Sequence, residues 1–395
     1  MTTPRYYEFF CPVKLLVGQQ AIEQLPAALA ALGATRPLLL TDPGIVASGL
    51  AKMVGEQLAA GVMTPAAIED QIPPDSSTAV VERIAERYRA LGCDALIALG
   101  GGSVIDTAKA VNILVSMGGA RLLDWAGADL LTRPLAPLAV LPTTAGTGSE
   151  VTQVAVIRDE GSGRKVPFTS PFLLPNLAVL DARLTQTLPL PISAATAMDA
   201  MTHAIEALIS NAANPLSSAL ALLAVEKIAA ALPLLPEHPS DPGLRLALAE
   251  GATLAGMAFS NAMVGLVHAL GHSLGAHCHL PHGLCMNLFL PVALAYQRPQ
   301  IDDELARLLL PLAGADAYAA CPSAARADAT MACLQHLRDQ LWQQAALPRT
   351  LREAGLSDRA PLAAVAHLAH NDGALLYCRK APDRDTLLHL LEQAW

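Results

Sequence analysis

Apolar and polar positions change rhythm along this chain. In the first half, short unbroken apolar runs end on turn residues: residues 37–41 before Asp42-Pro43-Gly44, 95–99 before Gly100-Gly101-Gly102, 135–141 before Pro142, and 177–180 before Asp181. Continuous runs of this length predict strands buried on both faces, as in a parallel sheet. Between them lie helical patterns such as residues 77–91, with mixed charged and apolar faces. Strand–helix alternation predicts an α/β domain with right-handed crossovers. The texture changes at Leu188-Pro189-Leu190-Pro191. Beyond it come long Ala/Leu-rich segments with helical spacing, at 194–210, 217–232 and 244–259. No strand pattern follows, so the expected boundary lies near residue 188: an α/β domain over 1–188 and an all-helical domain over 189–395. Residues 233–242 and 314–322 read as loops, and no repeat recurs at a fixed period.

Charge narrows the function classes. The 395 residues carry a net charge of −9 and no basic footprint, so nucleic acid is not an expected partner. A mean hydropathy of +0.38 raises the question of a membrane. Residues 251–297 contain no Asp, Glu, Lys or Arg, yet they hold His268, His272, His277, His279 and His282 with Pro281 and Pro291. Burying that many imidazoles in lipid is costly, so a protein core around a functional site fits better. No leader-type apolar run stands at the start. The seven cysteines (11, 93, 278, 285, 321, 333, 378) are odd in number, scattered and without a C-x-x-C pair. That usage predicts reduced thiols and a cytoplasmic protein.

The histidines have a pattern. Asp199 and His203 are four apart in one helical run, as are His268 and His272, and each pair shares a helix face. His282 follows Pro281 at a break. One carboxylate and three imidazoles suit a borderline divalent ion such as Fe²⁺ or Zn²⁺. Core or capping histidines are the bland alternative, and it stays favoured for His277 and His279. Glycine-rich turns follow three of the strands. Gly100-Gly101-Gly102-Ser103 opens a helix, where free N–H groups can hold phosphate. Asp42 stands where a ribose hydroxyl is often held, although a helix cap explains it equally well. The segment Pro142 to Glu150 adds a third small-residue loop.

Taken together these segments resemble the iron-containing (group III) alcohol dehydrogenases. The matching motifs are Gly100-Gly101-Gly102-Ser103-Val104-Ile105-Asp106-Thr107-Ala108-Lys109, the Pro142–Glu150 loop, Ser170-Pro171 with Leu174-Pro175, Asp199-Ala200-Met201-Thr202-His203-Ala204-Ile205-Glu206, and His268-Ala269-Leu270-Gly271-His272-Ser273-Leu274-Gly275-Ala276 leading to Pro281-His282-Gly283. The resemblance implies a Rossmann-like NAD-binding α/β domain, a helical metal domain, and a cleft between them for nicotinamide and metal. It implies Asp199, His203, His268 and His282 as ligands of Fe²⁺ or Zn²⁺, and His272 as a proton-relay group. Gly101, Gly102 and Ser103 would cradle the pyrophosphate, with Asp106 among the cofactor-binding positions. Thr143, Thr144 and Thr152 would contact the cofactor and Lys165 its ribose, while Asp42 would favour NAD over NADP. Val154 and Phe259 would line the pocket. The implied reaction is reversible hydride transfer between NAD and a small primary alcohol or aldehyde, in a homodimer or higher homo-oligomer. Polyols, hydroxy- or oxoacids and semialdehydes are alternative substrates. A silent metal- or nucleotide-binding scaffold is the alternative of another class. The chain departs from the pattern at Leu375-Leu376-Tyr377-Cys378-Arg379-Lys380, where many members carry a Thr-Gly-Gly-Asn-Pro-Arg-like segment.

Overall fold

A computed structural model describes residues 6–395. Its nine strands are β1 (Lys14–Gly18), β2 (Pro37–Leu40), β3 (Ala67–Glu69), β4 (Ala95–Gly100), β5 (Gly127–Ala128), β6 (Leu138–Pro142), β7 (Val154–Arg158), β8 (Lys165–Thr169) and β9 (Leu177–Asp181). Six of them form one parallel sheet in the order β1-β9-β6-β4-β2-β3. Every residue of β2, β4, β6 and β9 is buried. Leu38, Leu40, Leu96, Ala98 and Val140 face one apolar layer, and Leu39, Ile97, Leu99, Ala139 and Leu141 face the other. This two-sided burial is why the runs read as unbroken apolar stretches. The remaining strands make a small sheet in which β7 and β8 pair antiparallel and β5 joins β8.

Two compact units divide the chain: Phe10–Leu188 holds both sheets, and helical Pro189–Trp395 forms the other together with the described residues before Phe10. In the helical unit, Leu190–Ile209 is buried on all sides from Ala197 onward. Its run of Ala, Met, Leu and Ile suits a helix with neighbours all round. Residues 314–322, read as a loop, are corrected by the structure. Helix Asp302–Ala320 breaks at Gly314, whose φ of 84° is open to glycine without strain, and resumes as far as Ala320, leaving only Cys321 and Pro322 outside it.

Candidate metal and dinucleotide sites

Helix Leu190–Ile209 presents Asp199, His203 and Glu206 at i, i+4 and i+7, on one face. Helix Leu266–Cys278 carries His268 and His272. It ends at His279, in the left-handed conformation, and His282 opens the next helix, His282–Gln297, directly after Pro281. Gly283 lets this helix approach. A Cβ there would lie 2.5 Å from the backbone oxygen of Ala195.

These elements bring Asp199, His203, His268 and His282 together, with one donor atom of each within 4.8 Å of all the others. Asp199 Oδ1 stands 3.9 Å from His203 Nδ1, 4.0 Å from His268 Nε2 and 3.3 Å from His282 Nε2. Ligands bound tetrahedrally at 2.0–2.2 Å stand about 3.3–3.6 Å apart, so the cluster is slightly wider than a closed site. His203 Nδ1 and His268 Nε2 are buried and carry no hydrogen-bond partner. Buried polar atoms are normally paired, and an ion satisfies both lone pairs. Burial pushes His203 down to about 3 and His268 well below the ordinary range, which keeps both rings neutral. Burial works against the Asp199 carboxylate, but the three imidazoles around it hold it far below its ordinary value. One carboxylate and the ring nitrogens of three imidazoles therefore fit a divalent cation.

Glu206, which the sequence reading quoted without a role, orients His268. His268 Nδ1 lies 2.6 Å from Glu206 Oε2, and the carboxylate also accepts from the N–H groups of Gly265 (2.9 Å) and Val267 (2.6 Å). Burial pushes Glu206 up to about 7, against the pull of these two N–H groups. Its i+7 spacing from Asp199 was the available signal. Phe259 stacks on His203 at 4.2 Å and 16°. His272 stacks on His282 at 5.5 Å and 17°, and its Nδ1 lies 3.0 Å from Asp372 Oδ2. Burial would raise Asp372, but the hydrogen bond from His272 holds it below the usual carboxylate range. No local pattern marks Asp372, which lies 100 residues from His272. His277 and His279 join no such cluster among the described residues.

In the α/β unit, the loops after β2, β4 and β6 lie side by side at the carboxyl edge of the parallel sheet. Asp42 caps the short helix Pro43–Ala47, its Oδ1 accepting from the Ile45 N–H at 3.0 Å. Gly101 is the cap of helix Gly102–Met117. A Cβ on Gly102 would come within 2.9 Å of Thr147 Cγ2, so any side chain there would have to displace the Thr147 methyl group. The Thr143 N–H donates to the Gly100 carbonyl at 3.1 Å, and Thr144 lies over Gly101. Ser103 Oγ accepts from the Asp75 N–H, and Asp75 pairs with Lys165 at 2.6 Å. Lys165 is thus linked to Ser103 of the glycine turn through Asp75, a residue with no motif around it.

Asp106 and Thr152 sit in a second network, centred on Lys109. Its buried ammonium donates to Thr152 O (2.7 Å), Val154 O (2.9 Å), Thr152 Oγ1 (3.1 Å) and Ser149 Oγ (3.2 Å). Asp106 accepts from Ser149 Oγ at 2.7 Å and from the Val156 N–H at 2.9 Å. Burial pulls Lys109 down to about 8 and pushes Asp106 up, each opposed by the other's charge. Helix Gly102–Met117 is thereby pinned to the segment from Ser149 to Val156.

Comparison with known proteins decides the family. The sequence model of iron-containing alcohol dehydrogenase matches residues 12–182, and that of the family's C-terminal domain matches 193–395. The chain belongs to the iron-containing alcohol dehydrogenase family. Within this family it is 34% identical over 288 residues to the NAD-dependent methanol dehydrogenase of Bacillus methanolicus, covering 73% of this chain and 75% of that one. It is 33% identical over 347 residues to long-chain-alcohol dehydrogenase 1 of Geobacillus thermodenitrificans, covering 87% and 85%. Among solved structures, a 1,3-propanediol oxidoreductase superposes with a TM-score of 0.93 at 29% identity, over 99% of this chain and 100% of that one. The four-residue cluster and the glycine loops are thus features of an iron-containing alcohol dehydrogenase family member.

Proposed function

We propose that this chain is a metal-dependent NAD(H) alcohol dehydrogenase and aldehyde reductase acting on a small primary alcohol or its aldehyde. The observation that carries this reading is the convergence of Asp199, His203, His268 and His282, with two buried ring nitrogens that have no other partner. These four residues would hold Fe²⁺ or Zn²⁺. Asp42, Gly101, Gly102, Ser103, Asp106, Thr143, Thr144, Thr152 and Lys165 would hold the dinucleotide, with Asp42 disfavouring a 2′-phosphate by charge. When bound, the cation supplies Lewis-acid polarisation of the substrate oxygen and the nicotinamide accepts or returns a hydride. Glu206 fixes the His268 ring. Phe259 gives the site an apolar wall against His203. His272 takes the hydroxyl proton during oxidation and returns it during reduction.

The methanol dehydrogenase among the relatives supports NAD and a small substrate, and the 1,3-propanediol oxidoreductase adds diols to the substrates to be tried. Seven free thiols support a cytoplasmic setting. Helix Pro215–Leu234 is long and apolar enough to cross a membrane, but 44% of its most apolar stretch is buried inside the chain. Leu216 and Leu223, exposed on one stripe of that helix, support burial against another subunit, in a homodimer or larger assembly. The test is purified protein with Fe²⁺ or Zn²⁺, NAD⁺ and a panel of alcohols and diols, read at the NADH absorbance band. Turnover that needs the metal is expected. Bound cofactor without turnover on any alcohol or aldehyde would favour a silent scaffold.

A further inference from the structure

Helix Leu266–Cys278 carries two histidines one turn apart, and their Nδ1 atoms meet different carboxylates. His268 faces Glu206, fully enclosed, and His272 faces Asp372. Asp372 is itself fixed. Its Oδ1 accepts from the Ala374 N–H at 2.8 Å and so caps the 3₁₀ turn Gly373–Tyr377, while its Oδ2 is left for His272. The His272 ring is also held by neighbours, stacked on His282 and edge-on to His268 at 5.5 Å and 68°.

An ionised carboxylate can only accept hydrogen bonds. The proton of neutral His272 therefore sits on Nδ1, and Nε2 presents its lone pair. We propose that Asp372 is a positioning residue that fixes His272 in the Nδ1–H tautomer, so that Nε2 is the acceptor of the proton released in alcohol oxidation. This rests on the dehydrogenase reading above. In that reaction the carbinol C–H bond breaks and its electron pair leaves as hydride to the nicotinamide. The O–H bond breaks, the carbonyl forms, and the proton goes to His272 Nε2; reduction runs the same steps backwards.

Asparagine separates shape from tautomer. In Asp372→Asn the side-chain oxygen stays on the Ala374 N–H, because the amide NH₂ cannot accept that hydrogen bond. The amide NH₂ then faces His272 Nδ1 and can only donate. The ring must accept at Nδ1, and its proton moves to Nε2. The cap and the packing survive while the acceptor at Nε2 is lost.

The experiment uses the full chain loaded with Zn²⁺, as wild type, Asp372→Asn, His272→Ala and the double variant. A positioned proton acceptor is worth roughly 10²–10⁴-fold, so Asp372→Asn is expected to lower kcat at least about tenfold. KM, NAD⁺ affinity and metal content should stay within about twofold. In the His272→Ala background the asparagine should cost nothing further, because the two residues act as a unit. With ¹⁵N-labelled histidine, the resonance missing from His272→Ala should report Nδ1–H in the wild type and Nε2–H in Asp372→Asn. Unchanged kcat in Asp372→Asn, losses that simply add in the double variant, or an unchanged His272 tautomer would each overturn the proposal. If the wild type oxidises no alcohol, the dehydrogenase reading falls separately, and the tautomer spectrum alone decides the placement of Asp372. If Asp372→Asn does not fold, Asp372→Ser replaces it, since serine keeps an oxygen for the Ala374 N–H.

Discussion

Replacing Glu206 with glutamine keeps its shape and removes an acceptor. Three donors meet this carboxylate, from Gly265, Val267 and His268. A glutamine has one acceptor oxygen, so at least one buried donor is left facing an NH₂ group. Outer partners of metal-binding histidines are typically worth 10–100-fold in metal affinity. Glu206→Gln is therefore expected to weaken Zn²⁺ binding by that factor, measured by competition with a chromogenic chelator, and to leave NAD⁺ affinity unchanged. Asp42 offers a contrasting test. It is a helix cap, and glycine in place of a capping residue costs only a few tenths of a kcal/mol. Asp42→Gly should therefore keep the fold while raising the ratio of NADP⁺ to NAD⁺ turnover; an unchanged ratio would remove Asp42 from the ribose. At this scale the sequence was legible where partners are four residues apart, as with Asp199 and His203 or His268 and His272. It was silent where the partner is remote: nothing near position 372 points to a histidine 100 residues away.

Elements were legible to the extent that both of their faces are buried. β2, β4, β6 and β9 stand out because all of their residues are enclosed. β1 and β3 lie at the two edges of the sheet with exposed positions, and β7 ends in Arg158 while β8 begins at Lys165. Their apolar signal is diluted, and the pattern passed over them. Gly314 marked a real break, but a helix resumes after it. Two substitutions test how elements hold the sites. Gly283→Ala drives a methyl group to 2.5 Å from the Ala195 backbone, which cannot swing aside as a side chain can. Overpacking of this kind costs about 1–3 kcal/mol. It should lower the melting temperature and also weaken metal binding, because His282 is the adjacent residue. Lys109→Met leaves the carbonyls of Thr152 and Val154 without their donor and should release the segment from Ser149 to Val156 from its helix. Its pH signature has a definite sign. Burial lowers Lys109 in the folded chain to about 8, below its ordinary value of 10.5, so between these pH values the unfolded chain holds more protons. Wild-type stability relative to Lys109→Met should therefore rise with pH across that window. Denaturant unfolding of both proteins at pH 7.5 and pH 10 checks the direction, and a gap that narrows would contradict it.

For the whole molecule, all four candidate ligands belong to Pro189–Trp395 and all of the glycine loops to Phe10–Leu188. A ligand that binds only the folded state stabilises it by RT ln(1 + [L]/Kd), about 2.7 kcal/mol at a hundredfold excess over Kd. Metal should therefore raise the unfolding temperature through the helical unit, where it relieves the unpaired ring nitrogens of His203 and His268. Chelation should reverse this gain without loss of NAD⁺ affinity, because Asp42, Ser103 and Lys165 are held by Ile45 and Asp75, within Phe10–Leu188. His268→Ala extends the same reasoning to a single side chain. It removes one ligand and leaves Glu206 facing a void, so metal retention and turnover should both be lost while titration with NAD⁺ gives an affinity within about twofold of wild type. Removing one side of a buried hydrogen bond also costs roughly 1–3 kcal/mol. The variant should accordingly melt below even the chelated wild type, and that ordering separates a lost ligand from a merely emptied site. A metal-replete, active His268→Ala protein would show that the four side chains converge for another reason.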